Sequence, residues 1–162
     1  MHKNFLVEMA EHEEPGEKLV TTNRKARHEY AILDTYEAGI VLKGTEVKSL
    51  RKGSANLSDG YAQIKNGEVW LIGMHISPYE QGSYSNVDPL RSRKLLLHKQ
   101  EIRKMVSRLR DKGFTLIPLK VYFKKHVAKV LIGVARGKRE YDKRQDIAKR
   151  EAERDVRRKY AR

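Results

Sequence analysis

Apolar and polar positions first alternate cleanly over residues 31–42, where Tyr36, Ala38, Ile40 and Leu42 fall on one face at period two, as in a half-buried strand. Gly39 inside that run predicts a bulge, or a bend where strands curl. Val47 and Leu50 then stand at helical spacing in a short helix over residues 45–52, with Thr45 as its cap and Gly53 closing it. Residues 61–65 and 68–76 flank Asn66-Gly67, the preferred pair for a tight type I′ hairpin, and Trp70 and Ile72 share one face of the second strand. Residues 77–93 hold Pro78, Gly82 and Pro89 and read as one long connection. Ile102, Met105, Val106 and Leu109 form the buried stripe of a helix over residues 99–112, and Gly113 follows its last turn. Two strands complete the pattern: Ile117, Leu119, Val121 and Phe123 alternate, as do Val130, Ile132 and Val134.

These elements predict a mainly β fold with helices, an OB-type antiparallel β-barrel of about six strands and three helices, followed by a basic C-terminal tail. Residues 1–22 carry no sustained periodicity and read as a mobile arm. Asn23 reads as the cap of a short helical turn through Arg27. The barrel domain is assigned to residues 23–136 and the tail to residues 137–162. Ala148, Ala152, Val156 and Tyr160 recur every four residues, a helical period on a thin stripe. An isolated helix of this kind is marginal in water, so the tail is expected to be disordered alone and helical on a partner.

Charge changes the picture from fold to partner. The 162 residues carry 35 Lys and Arg against 21 Asp and Glu, a formal net charge of +14. Mean hydropathy is −0.73 and the sequence pI is near 10.0, so the chain attracts polyanions. No apolar run approaches the roughly 20 residues a membrane span needs. The acidic N-terminus, with Glu8, Glu11, Glu13 and Glu14, is unlike a targeting signal. Cysteine is absent, which excludes a disulfide framework or a thiolate zinc site and suits a reducing compartment. The expected location is the cytoplasm.

Catalytic chemistry finds no footing. Residues 39–45, GIVLKGT, have the glycine spacing of a phosphate loop without the Lys before the Thr, and residues 133–138 are one residue too short. His28-Glu29 lacks a second His four residues on, and His75, His98 and His126 are scattered. No metal, cofactor or catalytic residue is expected. Basic residues are the better candidates. Asn23, Arg24, Lys25, Arg27 and His28 share a turn and a half, and Lys43, Lys48, Arg51, Lys52, Arg91, Arg93 and Lys94 fall at strand ends and loops. Such side chains neutralise phosphates, and no groove-reading DNA motif is visible, so RNA is the favoured ligand. A structural ribosomal component or general RNA chaperone is the alternative.

Five blocks then carry a resemblance: NRKARHEY (23–30), YEAGIVLKGTEVKSLR (36–51), HISPY (75–79), DPLRSRKLLLHKQEI (88–102) and GVARGKREYDKR (133–144). Together they resemble the bacterial SsrA-binding protein family, SmpB, from Asn23 to the C-terminus. The resemblance implies an adaptor that binds the tRNA-like part of transfer-messenger RNA and brings it to stalled ribosomes for trans-translation. It also implies aminoacylated RNA with elongation factor Tu as a partner. Asn23, Glu37 and Leu96 match family positions linked to that RNA. Gly137, Lys138 and Arg139, with Tyr141, Asp142, Lys143 and Arg144, match the tail motifs, which the family directs at the small-subunit decoding centre and messenger channel. Two positions depart from the commoner pattern: Tyr141 stands where others carry His, so it can stack but not become cationic, and Arg139 replaces a Lys. Lys159 and Tyr160 weaken the apolar anchor at the tail's end.

Overall fold

The computed structural model describes residues 15–161. Its strands are β1 (Glu17–Thr22), β2 (Tyr30–Ile40), β3 (Ala55–Asn56), β4 (Tyr61–Lys65), β5 (Glu68–Ile72), β6 (His75–Ile76), β7 (Arg93–Leu96), β8 (Phe114–Lys124) and β9 (Val127–Gly137). The helices are α1 (Arg24–Glu29), α2 (Gly44–Arg51), α3 (Lys99–Leu109) and α4 (Glu140–Tyr160), with a 3-10 turn at Ser83–Ser85. Among the described residues the fold is thus mainly β with four α-helices, one more than the sequence predicts.

Seven strands form one antiparallel sheet in the order β1-β8-β4-β5-β7-β2-β9, and β9 also pairs with β8. The pairings of β8, β4, β5, β7, β2 and β9 therefore close on themselves, while β1 is added outside on β8. β3 and β6 make a separate two-stranded ladder. Asn66 and Gly67 take φ of 53° and 72° at the β4–β5 turn, the positive values that a type I′ hairpin demands.

Two bulges set the core. On β8 the register shifts between Pro118 and Lys120, and on β2 between Ile32 and Asp34. A one-residue shift moves later side chains to the other face. Accordingly Leu116, Val121 and Phe123 enter the main core, while Ile117 and Leu119 join Ile32, Ala26 and Ala135 in a second cluster under α1. The alternation read as one face of β8 is therefore two faces joined at a bulge. Gly39, by contrast, keeps its register, opposite Lys129 and Leu96. A Cβ there would stand 3.4 Å from the Leu96 Cβ, so the glycine admits a close neighbour and the β2 bulge lies elsewhere.

Other expectations shift at element ends. The stretch 68–76 is broken at Gly73, whose φ is 77°; Trp70 and Ile72 do share a face, and Val69 and Leu71 on the opposite face fill the core. Lys43, not Thr45, precedes α2, and the Glu46 carboxylate reaches back to the Lys43 N–H at 2.9 Å. β7 begins at Arg93, the last residue of the predicted connection, and continues through residues given no element in the sequence. Residues 17–22, assigned to the N-terminal arm, form β1, paired from Glu17 to Lys124 through Thr22 to Lys120. The rest of that arm, residues 1–14, lies outside the described residues. The tail is described as the 21-residue helix α4, exposed along most of its length. Its first turn carries Glu140 and Asp142 and its last Arg157, Arg158 and Lys159, the arrangement a helix dipole favours.

Candidate nucleic-acid interface

The outward face of the sheet is assembled by pairing. Leu96 of β7 lies opposite Gly39 of β2, Gly39 opposite Lys129 of β9, Lys129 opposite Tyr122 of β8, and Tyr122 opposite Leu19 of β1. Opposed residues share a face, so these positions form one row across five strands. Leu96 is 55% exposed on it. A second row runs from Glu37 through Leu131 to Lys120. The Tyr122 hydroxyl donates to the Glu37 carboxylate at 2.5 Å, and the Lys124 ammonium lies 3.4 Å from the same oxygen. Burial would raise the Glu37 carboxyl, but the Tyr122 hydroxyl, Lys124 and Lys129 outweigh it and hold the group below its ordinary value. It stands as a fixed anion in a cationic field, able to accept N–H or O–H donors. Glu17 is drawn to the same field, 3.4 Å from Lys120 and 3.9 Å from Lys124.

The family resemblance singled out Glu37 and Leu96, and both lie on this face. Lys120, Tyr122, Lys124 and Lys129 escaped the sequence reading. The signal was available: they are the polar or amphipathic positions of β8 and β9, visible only once the bulge gives β8 its correct phase.

Helix α1 supplies a second cationic surface, with Arg24 and Lys25 exposed and Arg27 and His28 half-buried. Asn23 holds the helix in place and does not share its exposure. Its side chain is 2% exposed at the residue level, accepts from the Ala26 N–H at 3.1 Å, and donates to the carbonyls of Pro118 and Leu57 at 3.0 and 3.3 Å. The residue spends its hydrogen bonds inside the fold, so the structure does not offer it as a ligand contact. Between α1 and α4 lies an open groove of about 1420 Å³, bordered by Arg24, Arg27, Arg136, Arg139, Arg150 and Arg154 among others.

Helix α2 exposes Lys43, Lys48, Arg51 and Lys52. The neighbouring candidates are arranged differently. Arg93 is fully buried, its Nε 2.5 Å from Glu46 and its Nη atoms donating to the carbonyls of Met74 and Pro89 at 2.7 and 3.1 Å. Arg91 approaches the other Glu46 oxygen at 2.5 Å. Burial pushes the Glu46 carboxyl up, and the Lys43 N–H, Arg91 and Arg93 together more than reverse this. Lys94 pairs with Glu68 at 2.8 Å. Arg93 is thus an internal tie, and Arg91 and Lys94 have carboxylate partners that a phosphate would have to displace.

In the tail, Gly137 ends β9 and Arg139 precedes α4. The Lys138 N–H donates to the Glu29 carbonyl at 2.7 Å and its ammonium to the Arg27 carbonyl at 3.1 Å, while also pairing with Asp146. One residue therefore fastens the tail helix to the C-terminal end of α1. Tyr141 is 69% exposed, Asp142 and Arg144 are exposed, and Lys143 is half-buried. Among the described residues there is no group of three or more His, Asp or Glu placed to hold a metal, and no helix long and apolar enough to cross a membrane.

Fold and surface together define a class: a strongly basic β protein whose charged residues are displayed on a sheet face and on helices rather than gathered around a reactive centre. The family described as "SmpB protein" matches residues 20–162. An SsrA-binding protein of Desulforudis audaxviator is 64% identical over 140 residues, covering 86% of this chain and 92% of that protein. An SsrA-binding protein of Limosilactobacillus reuteri is 57% identical over 147 residues, covering 91% and 94%. A chain from the solved structure "tmRNA-SmpB: a journey to the center of the bacterial ribosome" has a TM-score of 0.64 at 53% identity, covering 78% of this chain and 93% of that one. The chain belongs to the SmpB family.

Proposed function

We propose that this protein is the RNA adaptor of trans-translation: it binds the tRNA-like part of transfer-messenger RNA and delivers it to stalled ribosomes, with no catalytic step of its own. The observation that carries the reading is the outward sheet face, where Glu37, Tyr122, Lys124, Lys129 and Leu96 converge in a chain of the SmpB family. Lysines there neutralise phosphates, Glu37, held by the hydroxyl of buried Tyr122, accepts base or ribose donors, and Leu96 offers apolar surface to an unstacked base. The similar chain from the tmRNA-SmpB structure of the bacterial ribosome supports the same partners. The ring of strand pairings is read as an OB-type barrel, a scaffold that suits such a face.

Labour divides at Gly137. The body up to residue 136 holds the RNA; the tail from residue 137 enters the decoding centre and messenger channel, where Arg139, Tyr141, Lys143 and Arg144 meet ribosomal RNA. Arg24, Lys25, Arg27 and His28 on α1 contribute phosphate contacts, and Asn23 acts only by holding α1. The working location is the cytoplasm. Two measurements test this. Sequencing the RNA that co-purifies with the intact protein will return transfer-messenger RNA in excess; recovery of ribosomal RNA in fixed proportion would indicate a structural ribosomal component instead. Truncation before Gly137 will spare RNA binding and abolish tagging of stalled chains, and loss of RNA binding on truncation would overturn the division.

A further inference from the structure

Helix α2 carries Lys48, and Lys52 caps its C-terminus one turn on, a spacing at which like charges repel. Such pairs are usually separated by solvent or relieved by a carboxylate. Here neither ammonium has a carboxylate partner among the described residues, and both lie over the ring of Tyr79, at 5.3 and 4.9 Å from its centroid. An aromatic face attracts a cation without cancelling its charge. The ring therefore holds two full positive charges beside it and leaves them without a carboxylate partner among the described residues.

The ring is itself held. The Tyr79 N–H donates to the Asn86 side-chain oxygen at 3.0 Å, the Asn86 amide donates to the Tyr79 carbonyl at 2.8 Å, and the Tyr79 hydroxyl reaches Gln81 at 3.0 Å. Thr45 at the start of α2 donates to the Ser85 carbonyl at 3.3 Å, tying the same loop to the helix that bears the lysines. Helix and loop thus form one preorganised unit. Neither contributes Glu37, Leu96, Tyr122 or Lys129.

We infer that Lys48, Lys52 and Tyr79 form a phosphate clamp that grips the backbone of the bound RNA at a second place, apart from the sheet face. The inference rests on the RNA-adaptor reading and adds a contact to it. A phosphodiester bridging the two ammoniums relieves their mutual repulsion, so the clamp gains more from one RNA phosphate than two independent lysines would. Lys43 just before this helix and Arg51 at its last position stand exposed and extend the track for the neighbouring phosphates. The ligand is a backbone and not a base, because both ammoniums are point charges without directional base-reading geometry.

The test uses the full chain and a fluorescent transcript of the tRNA-like part of transfer-messenger RNA, titrated across a salt series. The double variant Lys48→Ala/Lys52→Ala removes the grip on one bridging phosphate, so the log–log salt slope falls by about 0.7 to 0.9 and affinity by about tenfold or more at low salt. Tyr79→Leu leaves both charges but scatters them, weakening binding about threefold or more at an unchanged slope, whereas Tyr79→Phe keeps the ring and binds normally. Both lysines are exposed, so unfolding midpoints stay at the parent value. A double variant with the parent's slope and affinity overturns the clamp while leaving the adaptor reading intact. A parent protein that fails to bind the transcript overturns both.

Discussion

Replacing Asn23 separates two roles that one side chain combines. As a cap it accepts from the Ala26 N–H; as a brace it donates to the carbonyls of Leu57 and Pro118, 34 and 95 residues away in sequence. Loss of a cap costs about 1 kcal/mol. Each of the two hydrogen bonds to a buried carbonyl contributes about 0.5 to 1.5 kcal/mol net. Asn23→Ala should therefore destabilise by about 2 to 4 kcal/mol. The decisive variant is Asn23→Asp. Aspartate is as good a cap as asparagine, so a pure capping role predicts near-neutrality. The structure predicts the opposite: a carboxylate oxygen would replace the amide nitrogen and face two carbonyl oxygens in a site 2% exposed. Asn23→Asp should be at least as damaging as Asn23→Ala near neutral pH and should recover in part under acid, when the introduced carboxyl can donate again. Urea unfolding followed by circular dichroism at two pH values measures this. An Asn23→Asp protein as stable as the parent at pH 7 would refute the bracing role and return Asn23 to the surface as an RNA contact.

Three other outcomes follow from geometry already described. Glu46→Leu strands the buried Arg93 guanidinium and should cost about 3 to 5 kcal/mol, with much of it recovered in Glu46→Leu/Arg93→Met; a double variant no better than the single would show that the pair is not the source. Glu37 has its carboxyl lowered, so it adds stability that is full above the ordinary value near 4.5 and is lost as pH falls through the folded value. Tyr122→Phe should move the Glu37 titration upward in carbon-13 NMR and shrink that contribution, and an unmoved titration would discount the hydroxyl as its cause. A peptide of residues 137–162, deprived of the Arg27 carbonyl and the body of the protein, should show little helix by circular dichroism in moderate salt. A strongly helical spectrum would show that α4 needs no partner.

The sequence made the strong local signals legible. Asn66-Gly67, the stripe of Ile102, Met105 and Leu109, and the inward residues of β2 are read from chemistry that acts over a few positions. Strands β1 and β7 were missed because their stability is tertiary: β1 exists by pairing along β8, and β7 is four residues long, held between β5 and β2. The bulge at Leu119 hid for a related reason, since a phase change looks like continued alternation until the partner strand is known. At the site, charge alone could not tell a displayed lysine from a committed arginine. Arg93 and Lys48 look alike as letters, yet one is sunk against Glu46 and the other stands over Tyr79.

The fastening of α4 at Lys138 has a mechanical corollary. Twenty-one helical residues make a rod about 31 Å long, whose hydrogen bonds and ion pairs to the body, among the described residues, lie near one end. With those ties at the base, a rotation there of about 10° sweeps the far tip through about 5 Å, roughly the rise of one helical turn. Exchanging the Asp146 partner of Lys138 for another anion would therefore re-aim Tyr160 without unwinding any of the helix between.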